Sequence, residues 1–122
     1  MSHPTIFETE IQDATLIVAP RGDVSTLAGE DVHAELLGLL DQLQLAEVKY
    51  VVIDLKRAAY FGSSMLGAMN ALWGRVRPAG GNMALCNVSE TGLEILQVSK
   101  FDTLWPIFAT REEALKKVIK TT

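Results

Sequence analysis

The pattern of apolar and polar positions divides the chain into strands and helices. Five segments have the apolar, β-branched composition of strands, and they lie at 5–11, 15–19, 50–55, 83–88 and 104–108. Gln12-Asp13-Ala14 separates the first two segments, which predicts a hairpin. Residues 50–55 are apolar apart from Asp54, as expected of a strand that is covered on both faces. Because Pro106 donates no hydrogen bond to a neighbouring strand, we expect the last strand at an edge of the sheet.

Four other segments repeat apolar residues at the spacing of an amphipathic helix. They lie at 32–43, at 63–77, directly after Ser89 and directly after Thr110. Pro78 and Gly80-Gly81 are expected to end the second helix. Ser89 should cap the third, and Thr110-Arg111-Glu112-Glu113 matches the capping box that opens the fourth.

The resulting order, ββαβαβαβα, predicts one α/β domain over residues 1–122. Strands that alternate with helices form parallel sheets with right-handed connections, whereas a hairpin pairs its strands antiparallel. We therefore expect a mostly parallel mixed sheet of about five strands, with the N-terminal strand antiparallel, and about four helices.

Charge and cysteine content exclude several classes of function. The net charge is −4 and the isoelectric point about 5.1, which argues against nucleic-acid binding because that function requires a basic face. Cys86 is the only cysteine, so no internal disulfide forms, and its apolar surroundings predict a buried thiol. No apolar stretch approaches the roughly 18 residues that span a bilayer, and the N-terminus does not resemble a signal peptide. We expect a cytoplasmic protein without membrane insertion.

Catalysis and cofactor binding have little support in the sequence. Gly62-Ser63-Ser64-Met65-Leu66 lacks the second glycine of a nucleophile elbow, so a small hydrolase would depend on Ser64 alone. The two histidines, His3 and His33, are far apart and suggest no metal site. Asp54 is expected to accept hydrogen bonds from a neighbouring loop rather than to act as a catalytic carboxylate. We expect no catalytic residue, no metal and no cofactor.

Two adjacent serines, Ser63 and Ser64, mark the predicted start of the second helix. Ser63 stands where an N-cap is expected, and a capping serine contributes about 1 kcal/mol. A phosphate at this position would face free backbone N–H groups and the positive end of the helix dipole. It would add about −1.5 to −2 charges without unfolding the domain. The position therefore suits either a helix cap or a phosphorylation switch.

The segment VVIDLKRAAYFGSSMLGAMNAL resembles the signature of STAS domains, the modules named after sulfate transporters and anti-sigma factor antagonists. That signature is an apolar strand ending in Asp-Leu, a short loop, and Asp-Ser-Ser-Gly-Leu-Gly or similar at a helix start. The resemblance continues through ALCNVSETGLEILQVSKFDTLWPIFATREEAL and covers most of the chain.

The resemblance implies a stand-alone domain that binds an anti-sigma factor with serine kinase activity. By the same resemblance, the unphosphorylated domain is expected to sequester this partner and so to free the sigma factor. The resemblance further implies that phosphorylation of the first serine of the pair, here Ser63 with Ser64 as its neighbour, releases the partner and that a serine phosphatase resets the switch.

Three departures from the family pattern leave two functions open. Gly62 replaces the usual aspartate, Met65 replaces a glycine, and Ser25 occupies an aspartate position two residues from Asp23. The first hypothesis is an anti-sigma factor antagonist that switches partners through Ser63. The second is a non-switching binding module of the same fold, such as a scaffold or transporter-accessory subunit, in which the serines only cap the helix.

The expected contact surface is the loop at 56–61 together with the start of the second helix. Tyr60 and Phe61 are candidate aromatic anchors for a partner, because such residues dominate interface energetics. The alternative for both is packing under the loop against the sheet.

Overall fold

A five-stranded mixed sheet forms the centre of the protein. The structure is a computed structural model that describes residues 7–21, 34–41, 47–59 and 61–119. The strands, in their order across the sheet, are β1 Phe7–Gln12, β2 Thr15–Pro20, β3 Tyr50–Asp54, β4 Asn82–Cys86 and β5 Ile107–Phe108. β1 is antiparallel to β2, and the other neighbours are parallel. The predicted mixed sheet is confirmed, including the edge position of the last strand.

The helices occupy the predicted segments. They are α1 at 34–41, α2 Ser63–Val76, α3 Glu90–Val98 and α4 Arg111–Val118. The caps of α3 and α4 are confirmed, because the Ser89 hydroxyl accepts from the Gly92 N–H at 2.9 Å and the Thr110 hydroxyl from the Glu113 N–H at 3.1 Å. The Glu113 carboxylate accepts from the Ala109 N–H, one residue before the N–H that a capping box uses.

The last strand is shorter than the sequence predicts. Only Ile107–Phe108 pair with β4, whereas the N–H groups of Leu104 and Trp105 donate to the carbonyl of Phe101. These bonds continue a 3₁₀ turn at Phe101–Thr103 and place the Trp105 ring in the core, stacked on Phe101 at 4.7 Å. The apolar run at 104–108 therefore combines a buried turn with a two-residue strand.

Helices cover both faces of the sheet. On one face the β3 residues Val51 and Ile53 belong to the larger core cluster together with the α2 residues Met65, Met69 and Leu72. On the other face Val52, Ala84 and Cys86 pack with Ala114 and Val118 of α4. Successive side chains of a strand point to opposite faces, so β3 is covered on both, as its continuous apolar sequence predicted.

Candidate partner-binding surface

The segment between β3 and α2, residues 55–62, is called the serine loop; the structure describes it at 55–59 and 61–62, and it begins where β3 ends. Two backbone hydrogen bonds hold its first part, from the Leu55 N–H to the Cys86 carbonyl at 3.0 Å and from the Ala58 N–H to the Leu55 carbonyl at 3.1 Å. The side chains of Lys56 and Arg57 are exposed. The loop thus begins as a fixed turn with two cations on its outer side.

Ser63 and Ser64 are both exposed at the start of α2. Helix α2 begins at Ser63, and its N-cap is Gly62, which has an extended backbone and a carbonyl that accepts from the Leu66 N–H at 3.1 Å. The prediction that Ser63 is the N-cap is therefore wrong by one residue. Since glycine has no side chain, Gly62 offers no acceptor to the N–H groups of the first turn.

Phe61 and Met65 flank the serine pair, and both point into the protein. Each side chain is 1% exposed and lies in the core cluster that fills the space between α2 and the sheet. Of the two roles predicted for Phe61, packing beneath the loop is confirmed and the exposed aromatic anchor is wrong. Met65 likewise fills the core, so it adds no bulk to the surface around the serines.

The far end of the serine loop is fastened to the start of α3. The Ser89 hydroxyl donates to the Ala59 carbonyl at 2.7 Å while it accepts from the Gly92 N–H. Gly92 leaves room for Phe61, because a Cβ there would lie 3.1 Å from the Phe61 ring. The sequence predicted Ser89 only as a cap, and its contact with the loop depends on the tertiary arrangement.

Asp54 ties three segments together where β3 ends. Its Oδ1 accepts from the Lys56 N–H and from Asn87 Nδ2, both at 3.0 Å, and its Oδ2 accepts from Arg111 Nε at 2.8 Å. Arg111 Nη1 also lies 4.0 Å from Glu10 Oε1. Burial by itself raises the pKa of Asp54, but the hydrogen bonds from Asn87, Arg111 and Lys56 together with the charge of Arg111 outweigh it, and the pKa is lowered. The predicted role of Asp54 as a hydrogen-bond acceptor is confirmed.

Asn87 and Arg111 were not identified from the sequence. Asn87 adopts the left-handed conformation, with φ 56°, directly after β4. A usable signal existed for it, since polar residues that follow neighbouring parallel strands meet at one edge of the sheet. Arg111 gives no comparable signal, because its approach to Asp54 depends on where α4 packs.

A groove of about 570 Å³ opens beside the serine loop, across the ends of β4 and β5. Its lining residues are Lys56, Asn87, Val88, Ile107, Phe108 and Ala109. Lys56 is the cationic member of this set, and Phe108 has Lys117 Nζ 5.8 Å from its ring centroid. The groove therefore lies between the start of the serine loop and the β5 edge.

Cys86 lies beneath this edge with no exposed surface. Burial, with a further contribution from the charge of Asp54, raises the pKa of its thiol to about 12. Its predicted role as a buried apolar residue is confirmed. In the part of the chain that the structure describes, no group of three histidine, cysteine or acidic residues could hold a metal ion, and no helix is long and apolar enough to cross a bilayer.

Three of the predicted site residues, Asp23, Ser25 and Tyr60, lie outside the described residues. So do both histidines, His3 and His33, that a serine nucleophile would need as a base. In the described part of the predicted surface, Ser63 and Ser64 are exposed, Gly62 is half-buried, and Phe61 and Met65 lie beneath them.

The family model described as STAS domain matches residues 7–114. The candidate anti-sigma factor antagonist BtrV of Bordetella bronchiseptica is 28% identical over 102 residues, which are 84% of each chain. An anti-sigma-factor antagonist (STAS) domain protein from Planctomyces limnophilus has a solved structure with a TM-score of 0.79 and 28% identity, covering 93% of this chain and 97% of its own. The Bacillus protein SpoIIAA, solved in its phosphorylated form, has a TM-score of 0.66 and 23% identity, covering 92% of this chain and 98% of its own. The likeness to SpoIIAA shows a shared fold.

Proposed function

The chain belongs to the STAS domain family, and from this membership we propose that it is an anti-sigma factor antagonist in a partner-switching pathway. Two of its relatives carry the name anti-sigma factor antagonist. In the unphosphorylated state the protein binds an anti-sigma factor that is also a serine kinase. Phosphorylation of Ser63 ends this binding, and a serine phosphatase restores it.

The observation that carries the proposal is the exposed serine pair on a rigid base. Ser63 and Ser64 face outward while Phe61 and Met65, on either side of them, are buried in the core. A kinase can reach such hydroxyls without unfolding the domain. Because the buried neighbours hold the helix start in place, a phosphate there changes the surface and not the fold.

A phosphate on Ser63 would have a favourable environment within the protein. The N–H groups of the first turn of α2 receive no side-chain acceptor from Gly62, and the positive end of the helix dipole lies at the same place. The modification adds about −1.5 to −2 charges and three acceptor oxygens. Its effect on a docked partner would be repulsion and loss of fit, since a group of this size and charge would stand at the centre of the contact surface. SpoIIAA is a relative by fold for which a phosphorylated form is known.

The second candidate is a non-switching binding module, and Gly62 favours it. The family's usual aspartate is missing from the position before the serines, so a kinase that reads that carboxylate would find none. Met65 no longer supports this candidate, because its side chain lies in the core and not on the surface.

The first test is phosphopeptide mass spectrometry of the protein isolated from its native cells, growing and stressed. Phosphate at Ser63 whose amount changes between the two conditions supports the switch. A serine pair that carries no phosphate in either condition, with the partner still bound, supports the non-switching module.

The second test measures partner binding. The protein partner is identified by cross-linking to the wild-type chain in cells, and its affinity is then measured for wild type, Ser63→Glu and Ser63→Ala. We expect Ser63→Glu to weaken binding by about tenfold or more and Ser63→Ala to change it little. Far-UV circular dichroism of all three should agree. Equal affinity of Ser63→Glu and wild type would contradict the switch.

A further inference from the structure

The Asp54 carboxylate joins the serine loop to a helix on the opposite face of the sheet. One oxygen, Oδ1, accepts from the Lys56 N–H at the start of the loop, and the other, Oδ2, accepts from Arg111 Nε in the first turn of α4. Helix α2, which carries the serines, packs on one face of the sheet and α4 on the other. Asp54 therefore connects α4 to the start of the loop that leads into α2.

Burial distinguishes this connection from the ion pair that Arg57 of the serine loop makes with Glu8. The side chains of Asp54 and Arg111 are 7% and 38% exposed, whereas the Arg57–Glu8 pair has the same 2.8 Å separation with its side chains 52% and 49% exposed. An exposed ion pair contributes little to stability, because water competes for both charges. Removing Arg111 leaves the buried Asp54 carboxylate without its charged partner, which should loosen the segments that Asp54 joins.

The position of α4 is itself determined by packing. Ala114 and Val118 of α4 are fully buried against the β3–β4 face of the sheet. Arg111 lies on the first turn, which Thr110 caps. The guanidinium therefore reaches Asp54 from a helix that is anchored independently of the serine loop.

We propose that Asp54 and Arg111 are positioning residues for the partner-binding surface: together they hold the start of the serine loop in the conformation that presents Ser63 and Ser64. Asp54 fixes the Lys56 N–H, and Arg111 fixes the orientation of the carboxylate from the other face. Neither residue needs to touch a partner. The assignment of the surface to a partner rests on the proposed function, whereas the control of the loop by Arg111 does not.

Hydrogen–deuterium exchange of the free protein tests this inference. In Arg111→Met, peptides that cover residues 55–62 should exchange about tenfold faster or more, although the substitution is on the other side of the sheet. Asp54→Asn should have a similar effect. The loop of the double variant should exchange no faster than that of either single variant, because both substitutions remove the same Asp54–Arg111 contact. Arg111→Lys, which keeps the charge, should recover part of the protection.

Two controls separate positioning from general loss of stability. Glu8→Gln removes the exposed ion pair that Arg57 of the serine loop makes with Glu8, and it should leave loop exchange unchanged because water competes for both charges. Val118→Ala destabilises the packing of α4 without touching Asp54, and it should increase loop exchange only as far as global unfolding does. Unchanged loop exchange in Arg111→Met, or an equal increase in Val118→Ala at matched stability, would overturn the inference.

The affinity of the cross-linked partner provides the functional readout. If the loop loosens in Arg111→Met and affinity falls with it, positioning of the partner surface is supported. If the loop loosens and affinity stays the same, Arg111 controls the loop but the loop is not the partner surface, which overturns the functional half of the inference. The affinity of Ser63→Glu tests the proposed function separately, because its result does not depend on whether Arg111→Met loosens the loop.

Discussion

The hydroxyl of Ser89 donates a 2.7 Å hydrogen bond to the carbonyl of Ala59, thirty residues earlier in the chain. The same oxygen accepts from the Gly92 N–H and caps α3. One side chain therefore stabilises a helix and also fastens the loop that leads to the serine pair. Contacts around that loop and the sheet edge behind it lead to the five predictions below.

We predict that Ser89→Ala costs more stability than a helix cap alone. Thr110→Ala is the matched control, because Thr110 caps α4 but makes no hydrogen bond to the serine loop. The unfolding free energy should fall by about 1 kcal/mol in the control and by about 2 kcal/mol in Ser89→Ala, because Ser89→Ala also loses the net contribution of the Ser89–Ala59 hydrogen bond. Urea denaturation monitored by tryptophan fluorescence measures both. Equal losses of unfolding free energy in the two variants would mean that the Ser89–Ala59 hydrogen bond does not stabilise the protein.

Two helix glycines should respond to alanine in opposite directions. Gly67 lies on the exposed side of α2, where an added Cβ meets no atom within 4 Å, so Gly67→Ala should stabilise by about 0.5–1 kcal/mol through helix propensity. Gly92→Ala gains the same propensity, but its Cβ would lie 3.1 Å from both the Phe61 ring and a Val88 methyl. We expect a net loss of about 1 kcal/mol, because these core neighbours must shift. Thermal unfolding of the two variants provides the comparison, and stabilisation of both would contradict the close packing at Gly92.

A carboxylate at position 62 should stabilise α2. The backbone of Gly62 is extended, and an added Cβ would meet nothing within 4 Å, so a side chain fits. Gly62→Asp should add a cap and a favourable charge at the helix start, together about 1 kcal/mol at low salt, or about 4 °C in Tm. Gly62→Asn, which caps without charge, should gain less, and only the aspartate variant should lose part of its gain in 1 M salt. Equal gains in both variants at all salt concentrations would rule out the dipole contribution.

The Asp54 network should give the protein an acid-sensitive component of stability. The folded pKa of Asp54 lies below its ordinary value of 3.8, so the stabilisation is fully present above that value and is lost as the pH falls through the folded pKa. The difference in unfolding free energy between wild type and Asp54→Asn should therefore be constant from about pH 7 to pH 5 and shrink below 3.8. Urea denaturation of both proteins at several pH values measures this difference. A difference that grows on acidification would show that the folded pKa is raised.

Cys86 should react with thiol reagents only when the protein unfolds. With its pKa raised to about 12, the folded thiol is about one ten-thousandth thiolate at pH 8, and it has no exposed surface. The rate of labelling by a disulfide reagent should therefore follow the unfolding rate and increase with urea. Rapid labelling in native buffer would show that the sheet edge opens locally near Asp54.

The order and type of the elements could be predicted from the sequence because each depends on local periodicity. The caps at Ser89 and Thr110 were identifiable for the same reason, since a capping residue bonds to an N–H three positions away. Errors arose where two local preferences competed. The apolar run that ends in Phe108 was predicted as one strand, but its first residues continue a 3₁₀ turn that buries Trp105.

The sequence by itself determined that a buried strand ends in Asp54, that Ser63 and Ser64 stand at a helix start, and that the serines lack the family's preceding aspartate. Only the tertiary structure decided that Phe61 and Met65 point into the core and that Gly62 is the N-cap. It also decided the contacts of Asp54 with Arg111 and of Ser89 with Ala59, which join residues 57 and 30 positions apart. Local periodicity specifies which residues form an element and which of its faces is buried. The partners across the sheet edge depend on how parallel strands and their crossover helices pack, and that arrangement exists only in the assembled fold.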